Sequence, residues 1–303
     1  MQKFQFLFLP GFIHLSKAKN PRPANRSLNL IVDTNMDSKV AKRTDNIKNT
    51  EEEYHFGDHV HVVDSAFDMP QLNKQRRVWI YLPKDYSKSE KKYPVIYMQD
   101  GQNLFHANPP RPNEWAVDSV MDSLIRDGAK EMIIVGIDHG GENRLTEYNP
   151  YDSEHGKGEG KAYISFLVES LKPYIDSKYR TLKDAKNTSI AGSSMGGLIS
   201  IYAIAEYPKV FGSAGVFSPS FWLAPNIYTD ITDRLPNLKN NKIFFVVGNK
   251  EGQTMVHDIK KVYKILNPDG SNKNVVFLEK EDGKHTEWFW HREFESFYKF
   301  IAQ

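Results

Sequence analysis

The chain has 303 residues, is 40% hydrophobic and 26% charged, and so has the balance of an ordinary globular protein. Lys plus Arg number 40 against 38 Asp plus Glu, with no dense basic run, which leaves no field to attract nucleic acid or an anionic membrane. The absence of cysteine excludes disulfides, thiolate nucleophiles and Cys-ligated zinc, without identifying the compartment.

The opening MQKFQFLFLPGFIHL carries one lysine and then a short apolar run, the outline of a secretory signal. Pro10-Gly11 interrupts that run, His14 follows it, and no A-x-A-like site precedes Lys17. A disordered extension and an over-long start, with Met36 as another initiator, are the alternatives. The expected location is cytoplasmic, with export by an atypical leader left open. No stretch approaches the ~20 apolar residues that cross a bilayer. From Lys17 to about Glu53 the chain is polar and lacks periodic apolar positions, so residues 1–53 are expected to be a tail or leader outside the core. The catalytic domain is expected over 54–303.

Beyond the tail, EYHFGDHVHVVDSAF alternates like an exposed strand, and RRVWIYLP (76–83) reads as a second strand closed by Pro83. YPVIYMQD (93–100) is almost continuously apolar, as suits a strand buried on both faces. Helical spacing over 114–126 then alternates with a buried strand over 131–138, and a longer amphipathic helix over 160–177 with a strand over 187–193. A helix over 195–208 stops at Pro208. Strands follow over 213–219, 242–249 and 274–281, with helices near 254–266 and 286–300. Repeated strand–helix alternation predicts an α/β fold with a mainly parallel sheet covered by helices on both faces.

Gly192-Ser193-Ser194-Met195-Gly196 matches G-x-S-x-G, with a buried strand immediately before it and an apolar helix immediately after. That setting makes it a nucleophile elbow, whose tight turn lifts the Ser194 hydroxyl out of the sheet. The plainer alternative is a serine that caps a helix. A serine hydroxyl needs a base to take its proton and a carboxylate to orient that base, in the chain order Ser, acid, His. His257, His285 and His291 lie downstream. His285 falls in a loop after the last strand, where ligands bind α/β sheets, while the other two fall within predicted helices. Glu251 directly follows the strand KIFFVVGN and is the candidate acid. Asp282 is its rival but shares a loop with His285, and Asp258 lies inside a helix. Two N–H donors must face the developing oxyanion. Met195 is the candidate for one, and Gln102, after Asp100-Gly101, for the other, with a simple β-turn as the alternative to the latter.

These residues resemble the esterase D, or putative esterase, family of α/β-hydrolases, which includes S-formylglutathione hydrolases, feruloyl and acetylxylan esterases, siderophore trilactone esterases and mycolyltransferases. The resemblance runs from about Tyr54 to the C-terminus. It rests on YPVIYMQDGQNLF (93–105), EWAVD (114–118), ENRLTEYNP (142–150), GSSMGG (192–197), FSPSFW (217–222), VGNKEG (247–252) and GKHTEWFW (283–290). It implies an α/β-hydrolase fold, Ser194 as nucleophile, Glu251 as acid, His285 as base, and an oxyanion hole at Gln102 and Met195. Many relatives have Asp at the acid position, so Glu251 departs from the pattern.

Phe105, Trp115 and Trp222 are candidates for an acyl pocket, since the fold places their segments near the elbow. Arg144 and Glu147 are expected either to meet a polar alcohol portion or to tie a loop by an ion pair. His59 and His61 on an alternating strand are read as incidental rather than as metal ligands. No cofactor is implied, and the expected partner is a small-molecule ester. The expected activity is carboxylic-ester hydrolysis. Acyl transfer to an alcohol, ligand binding without catalysis, and peptidase activity are the alternatives.

Overall fold

The strands set the frame, and the apolar runs of the sequence lie at its centre. In the computed structural model, which describes residues 55–303, β4 (Val95–Gln99), β6 (Ile133–Ile137), β7 (Thr188–Ser193) and β8 (Ser213–Phe217) are buried along their whole length. The expected tail over 1–53, its leader and Met36 lie outside the described residues. β9 (Lys242–Gly248) is buried except at Lys242. These strands and β10 (Val275–Lys280) run parallel. β3 (Lys74–Tyr81) and β2 (Val60–Met69) complete the other edge antiparallel, in the order β10-β9-β8-β7-β4-β6-β3-β2. The α/β fold with a mainly parallel sheet, expected from the alternation, is the fold observed.

Side chains leave the strands alternately toward two cores, as the two-residue period demands. Val95 and Tyr97 enter one core and Ile96 and Met98 the other. The first core is closed by α3 (Gly160–Phe166), α4 (Lys172–Lys178), α5 (Met195–Glu206), α6 (Ile227–Arg234) and α7 (Gln253–Leu266). The second is closed by α1 (Val117–Arg126) and α8 (Glu287–Ile301). α1 is amphipathic, burying Val117, Met121 and Leu124 at helical spacing, whereas α5 is buried everywhere except Glu206. α5 therefore sits inside the molecule and anchors whatever lies at its first turn.

Several boundaries depart from the sequence expectation for local reasons. The alternating segment near residue 55 is broken by a turn: β1 (His55–Phe56) pairs with the short β5 (Ala107–Asn108), and β2 starts only at Val60, so His59 lies in the turn and not on a strand. The helix expected from 114 begins at Val117, because the Trp115 N–H donates to Asn103 O at 2.7 Å and Ala116 adopts a left-handed conformation. The helix expected over 160–177 passes through a π-turn at Leu167–Leu171 between α3 and α4. Pro173 follows that turn; it lacks an N–H, and its ring crowds the carbonyl of residue 169. The short α2 (Arg144–Glu147) and α6 were not anticipated. Among the described residues no helix is long and apolar enough to cross a membrane.

β4 has β6 on one side and β7 on the other, so the chain direction across the sheet reverses there. A crevice forms outside the carboxyl ends of strands at such a switch point. The segments that leave β4, β6 and β7 at that end carry Asp100, His139 and Ser194.

Candidate active site

Ser194 stands between β7 and α5 with φ 59° and ψ −120°, a conformation that non-glycine residues adopt only under constraint. The constraint is visible. Ser194 N–H donates to Phe217 O at 2.9 Å, and Ser194 O accepts from Leu198 N–H at 3.1 Å. A Cβ on Gly192 would lie 2.8 Å from the Gly196 carbonyl carbon and from Gln99 Cγ, so the turn closes only with glycine there. The elbow expected from the motif is thus built by packing against β4 and by hydrogen bonding to the end of β8.

Glu251 lies in a 3-10 turn just beyond β9 and its side chain is fully buried. Its Oε1 accepts from Gly248 N–H and from Ser218 Oγ, both at 2.8 Å. Oε2 lies 2.7 Å from His285 Nδ1. An ionised carboxylate only accepts, so Nδ1 donates to it, and in the neutral ring Nε2 is the nitrogen with the free lone pair. Trp290 Nε1 donates to Ser218 Oγ at 3.0 Å, and its ring meets His285 edge-on with centroids 4.9 Å apart. The rival Asp282 is paired with Arg292, whose hydrogen bond holds its carboxyl below the usual range. His257 is exposed beside Asp258, and His291 is turned to Trp115 O.

The turn after β4 is fixed from several directions. Arg144 grips Asp100 with Nε at 2.7 Å and Nη2 at 2.9 Å, and its Nη2 also reaches Ser193 O at 3.4 Å. Burial opposes the charge on Arg144, but the Asp100 carboxylate outweighs it and keeps the guanidinium more strongly protonated than usual. Gln102 O accepts from Arg111 Nη1 at 2.6 Å, and Gln102 Oε1 accepts from His139 N–H at 3.1 Å. With its carbonyl and side chain held, Gln102 keeps its N–H in the first turn of a 3-10 helix. Met195 N–H stands likewise in the first turn of α5, where amides have no partner within the helix. His139 Nδ1 accepts from Gly141 N–H at 2.9 Å, so the ring carries its proton on Nε2. Burial lowers the His139 pKa and favours that neutral form.

Ser194 and His285 line one cleft of about 340 Å³ with Asp100, Asn103, Trp115, His139, Arg144, Ser193, Glu287 and Trp290. In this conformation the Ser194 hydroxyl is hydrogen-bonded to Ser220 Oγ at 3.1 Å rather than to His285. A larger hollow of about 460 Å³ opens at the other end of the sheet beside Lys130 and Lys242, but no histidine or acidic side chain lines it. The smaller cleft is the one that holds Ser194 and His285 together.

Of the expected acyl-pocket residues, Trp115 is in the cleft wall, packed against Trp290 with ring centroids 5.6 Å apart and planes tilted by 32°. Phe105 is buried in the second core against Trp79, away from the cleft lining. Trp222 is 48% exposed and also outside that lining. Arg144 lines the cleft and ties it together through Asp100. Glu147 is bound instead to Arg76 and Lys74. Sequence reasoning missed Ser218, Ser220, His139 and Trp290. The FSPSFW segment already held the two serines, but nothing in the string tells a hydroxyl that touches Ser194 from one that does not. Among the described residues no group of three or more His, Cys, Asp or Glu is placed to hold a metal.

The sequence pattern of the family described as Putative esterase matches residues 69–294. The chain is 28% identical over 224 residues to the uncharacterized protein YbbA of Bacillus subtilis, covering 69% of this chain and 84% of that one. It is 28% identical over 226 residues to the endo-1,4-beta-xylanase/feruloyl esterase of Xylanibacter ruminicola; the match covers 73% of this chain but only 27% of that much longer protein. Among solved structures, a ferulic acid esterase superposes with a TM-score of 0.64 at 26% identity, over 80% of this chain and 98% of the other.

Proposed function

Because the chain belongs to the Putative esterase family, and so is a carboxylesterase-type hydrolase, we propose that it cleaves esters through an acyl-enzyme on Ser194, with His285 as base and Glu251 as the orienting acid. The observation that carries this reading is the Glu251 Oε2 to His285 Nδ1 contact of 2.7 Å beside a strained Ser194 in the same cleft. Ser194 Oγ attacks the acyl carbon while His285 Nε2 takes its proton, and the buried Glu251 carboxylate stabilises the imidazolium. The carbonyl oxygen, now negative, is met by the N–H groups of Met195 and Gln102. Each such donor is worth about 3 kcal/mol at the transition state. His285 returns its proton to the departing alcohol. It then activates water, which releases the acid and restores Ser194.

The cleft has an aromatic wall of Trp115 and Trp290 and a polar wall of His139 and Arg144. That pairing suits an aromatic acid bearing a polar ring substituent, the chemistry named for the feruloyl-esterase relatives. Hydrolysis of methyl ferulate and methyl cinnamate beside p-nitrophenyl acetate, butyrate and octanoate tests the substrate class. The expected order places methyl ferulate above cinnamate in kcat/KM. Labelling of Ser194 by a fluorophosphonate, read by peptide mass, tests the mechanism, and labelling elsewhere or nowhere contradicts it.

A further inference from the structure

Beyond β8 the chain turns at Ser218, whose φ is +43°, and comes back over the elbow through Pro219. That path places Ser220 directly against Ser194: the Ser220 N–H donates to Ser194 O at 3.1 Å, and the two Oγ atoms are 3.1 Å apart. Ser220 is 1% exposed, so water does not compete for its hydroxyl. Among the described residues neither hydroxyl has another hydrogen-bond partner. A hydroxyl has one proton to give and two lone pairs to accept with. Once the Ser194 proton is committed to His285, the pair of serines holds together only if Ser220 is the donor.

On the reading of Ser194 as nucleophile, we infer that Ser220 is a further catalytic residue, whose O–H donates to Ser194 Oγ and stabilises that oxygen as it leaves the acyl group. In deacylation, water gives a proton to His285 Nε2 and adds to the acyl carbon. The tetrahedral intermediate then collapses: the bond from carbon to Ser194 Oγ breaks, its electron pair returns to Oγ, and the proton on His285 follows it. The acid is released and Ser194 is regenerated. An ester oxygen is a poor hydrogen-bond acceptor and a departing serine oxygen a good one, so the Ser220 contact strengthens between the acyl-enzyme and the transition state. In acylation the starting oxygen is already a good acceptor, and the same contact gains less. Ser220 therefore acts mainly on the second half of the reaction.

The test is steady-state turnover of p-nitrophenyl acetate by wild type, Ser220→Ala and Ser220→Thr. Samples are acid-quenched during turnover, and the fraction of Ser194 carrying acetyl is read by peptide mass. Ser220→Ala is expected to lower kcat about 10-fold or more and to raise the acetylated fraction, because the acyl-enzyme forms but empties slowly. Ser220→Thr keeps the hydroxyl and should hold both quantities near wild type. Loss of acetyl from Ser194 after excess substrate is removed, if as fast in Ser220→Ala as in wild type or slowed no more than the initial burst of p-nitrophenol, overturns the role. A merely structural serine would slow both halves alike. Acetyl absent from Ser194 in the wild type itself would instead remove the nucleophile assignment, and this inference with it.

Discussion

Trp290 and Ser218 are joined by a hydrogen bond of 3.0 Å from the indole N–H to the serine Oγ, and that serine donates in turn to Glu251. The indole is thus the outer end of a relay that fixes the proposed acid, and the acid fixes His285. The relay joins the end of β8, the turn after β9 and the first turn of α8. It predicts that catalysis responds to Ser218, which is fully buried and lies outside the cleft lining.

Ser218→Ala deprives the Glu251 carboxylate of one donor and leaves the Trp290 N–H unpaired. A hydrogen bond to a charged group is worth about 1.5–3 kcal/mol, so kcat should fall by roughly 10- to 100-fold with KM little changed. Trp290→Phe keeps a ring against His285 but loses the N–H, and a fall of only about 5-fold is expected. Steady-state kinetics on p-nitrophenyl acetate checks both. A larger effect from the indole than from the serine would contradict the relay.

Gly248→Ala tests the fit beneath His285. A Cβ there would come within 2.2 Å of the Gly283 carbonyl, two residues before His285, the proposed base. Relief requires the His285 loop to move, and a displacement near 1 Å in a catalytic group costs on the order of 100-fold in rate. Overpacking should also lower Tm by roughly 5 °C. Thermal melts and kcat measured together check this, and a variant with wild-type rate contradicts it.

Asp100→Asn leaves the Arg144 guanidinium in the cleft wall without its carboxylate. Breaking such a pair from one side costs about 3 kcal/mol, which urea unfolding would read. The turn that carries Gln102 loses one of its ties at the same time, so kcat should fall as well. Unchanged stability would mean that the pair is already solvent-screened.

Burial lowers the pKa of His139 from its ordinary value near 6.5, with Asp100, Arg144, Asp138 and Arg76 facing the ring. Above pH 6.5 the residue is neutral in both folded and unfolded chains and has no effect on stability. As the pH drops below 6.5 the unfolded chain takes up the proton first, so stability is lost down to the folded pKa. His139→Asn should therefore lose less Tm than wild type between pH 7 and pH 5. Parallel Tm curves would contradict a buried neutral histidine.

The sequence made the sheet legible because its central strands are buried on both faces, and such strands read as unbroken apolar runs: VIYMQ, IIVGI and KIFFVVG needed no partner to be recognised. The elbow was legible for a similar reason, since G-x-S-x-G gains meaning only between a buried strand and an apolar helix. The loops were much less so. Whether Glu251 or Asp282 faces His285 depends on Arg292, a helix turn away, drawing Asp282 off. Phe105 sits in the core and Trp115 at the cleft, although both are large apolar residues near one turn. Ser218 and Ser220 differ by two positions, yet one bonds to Glu251 and the other to Ser194, because Ser218 itself has a positive φ that redirects the chain. Such placements follow from three-dimensional contacts that no periodicity encodes.

The most direct test of the central proposal is the hydrolysis of p-nitrophenyl acetate by wild type and by Ser194→Ala, with Tm showing that both fold. The expected result is turnover by the wild type and a loss of at least about 1,000-fold in kcat/KM for the variant, as befits removal of a nucleophile. A folded Ser194→Ala protein that retains wild-type turnover would contradict an acyl-enzyme on Ser194.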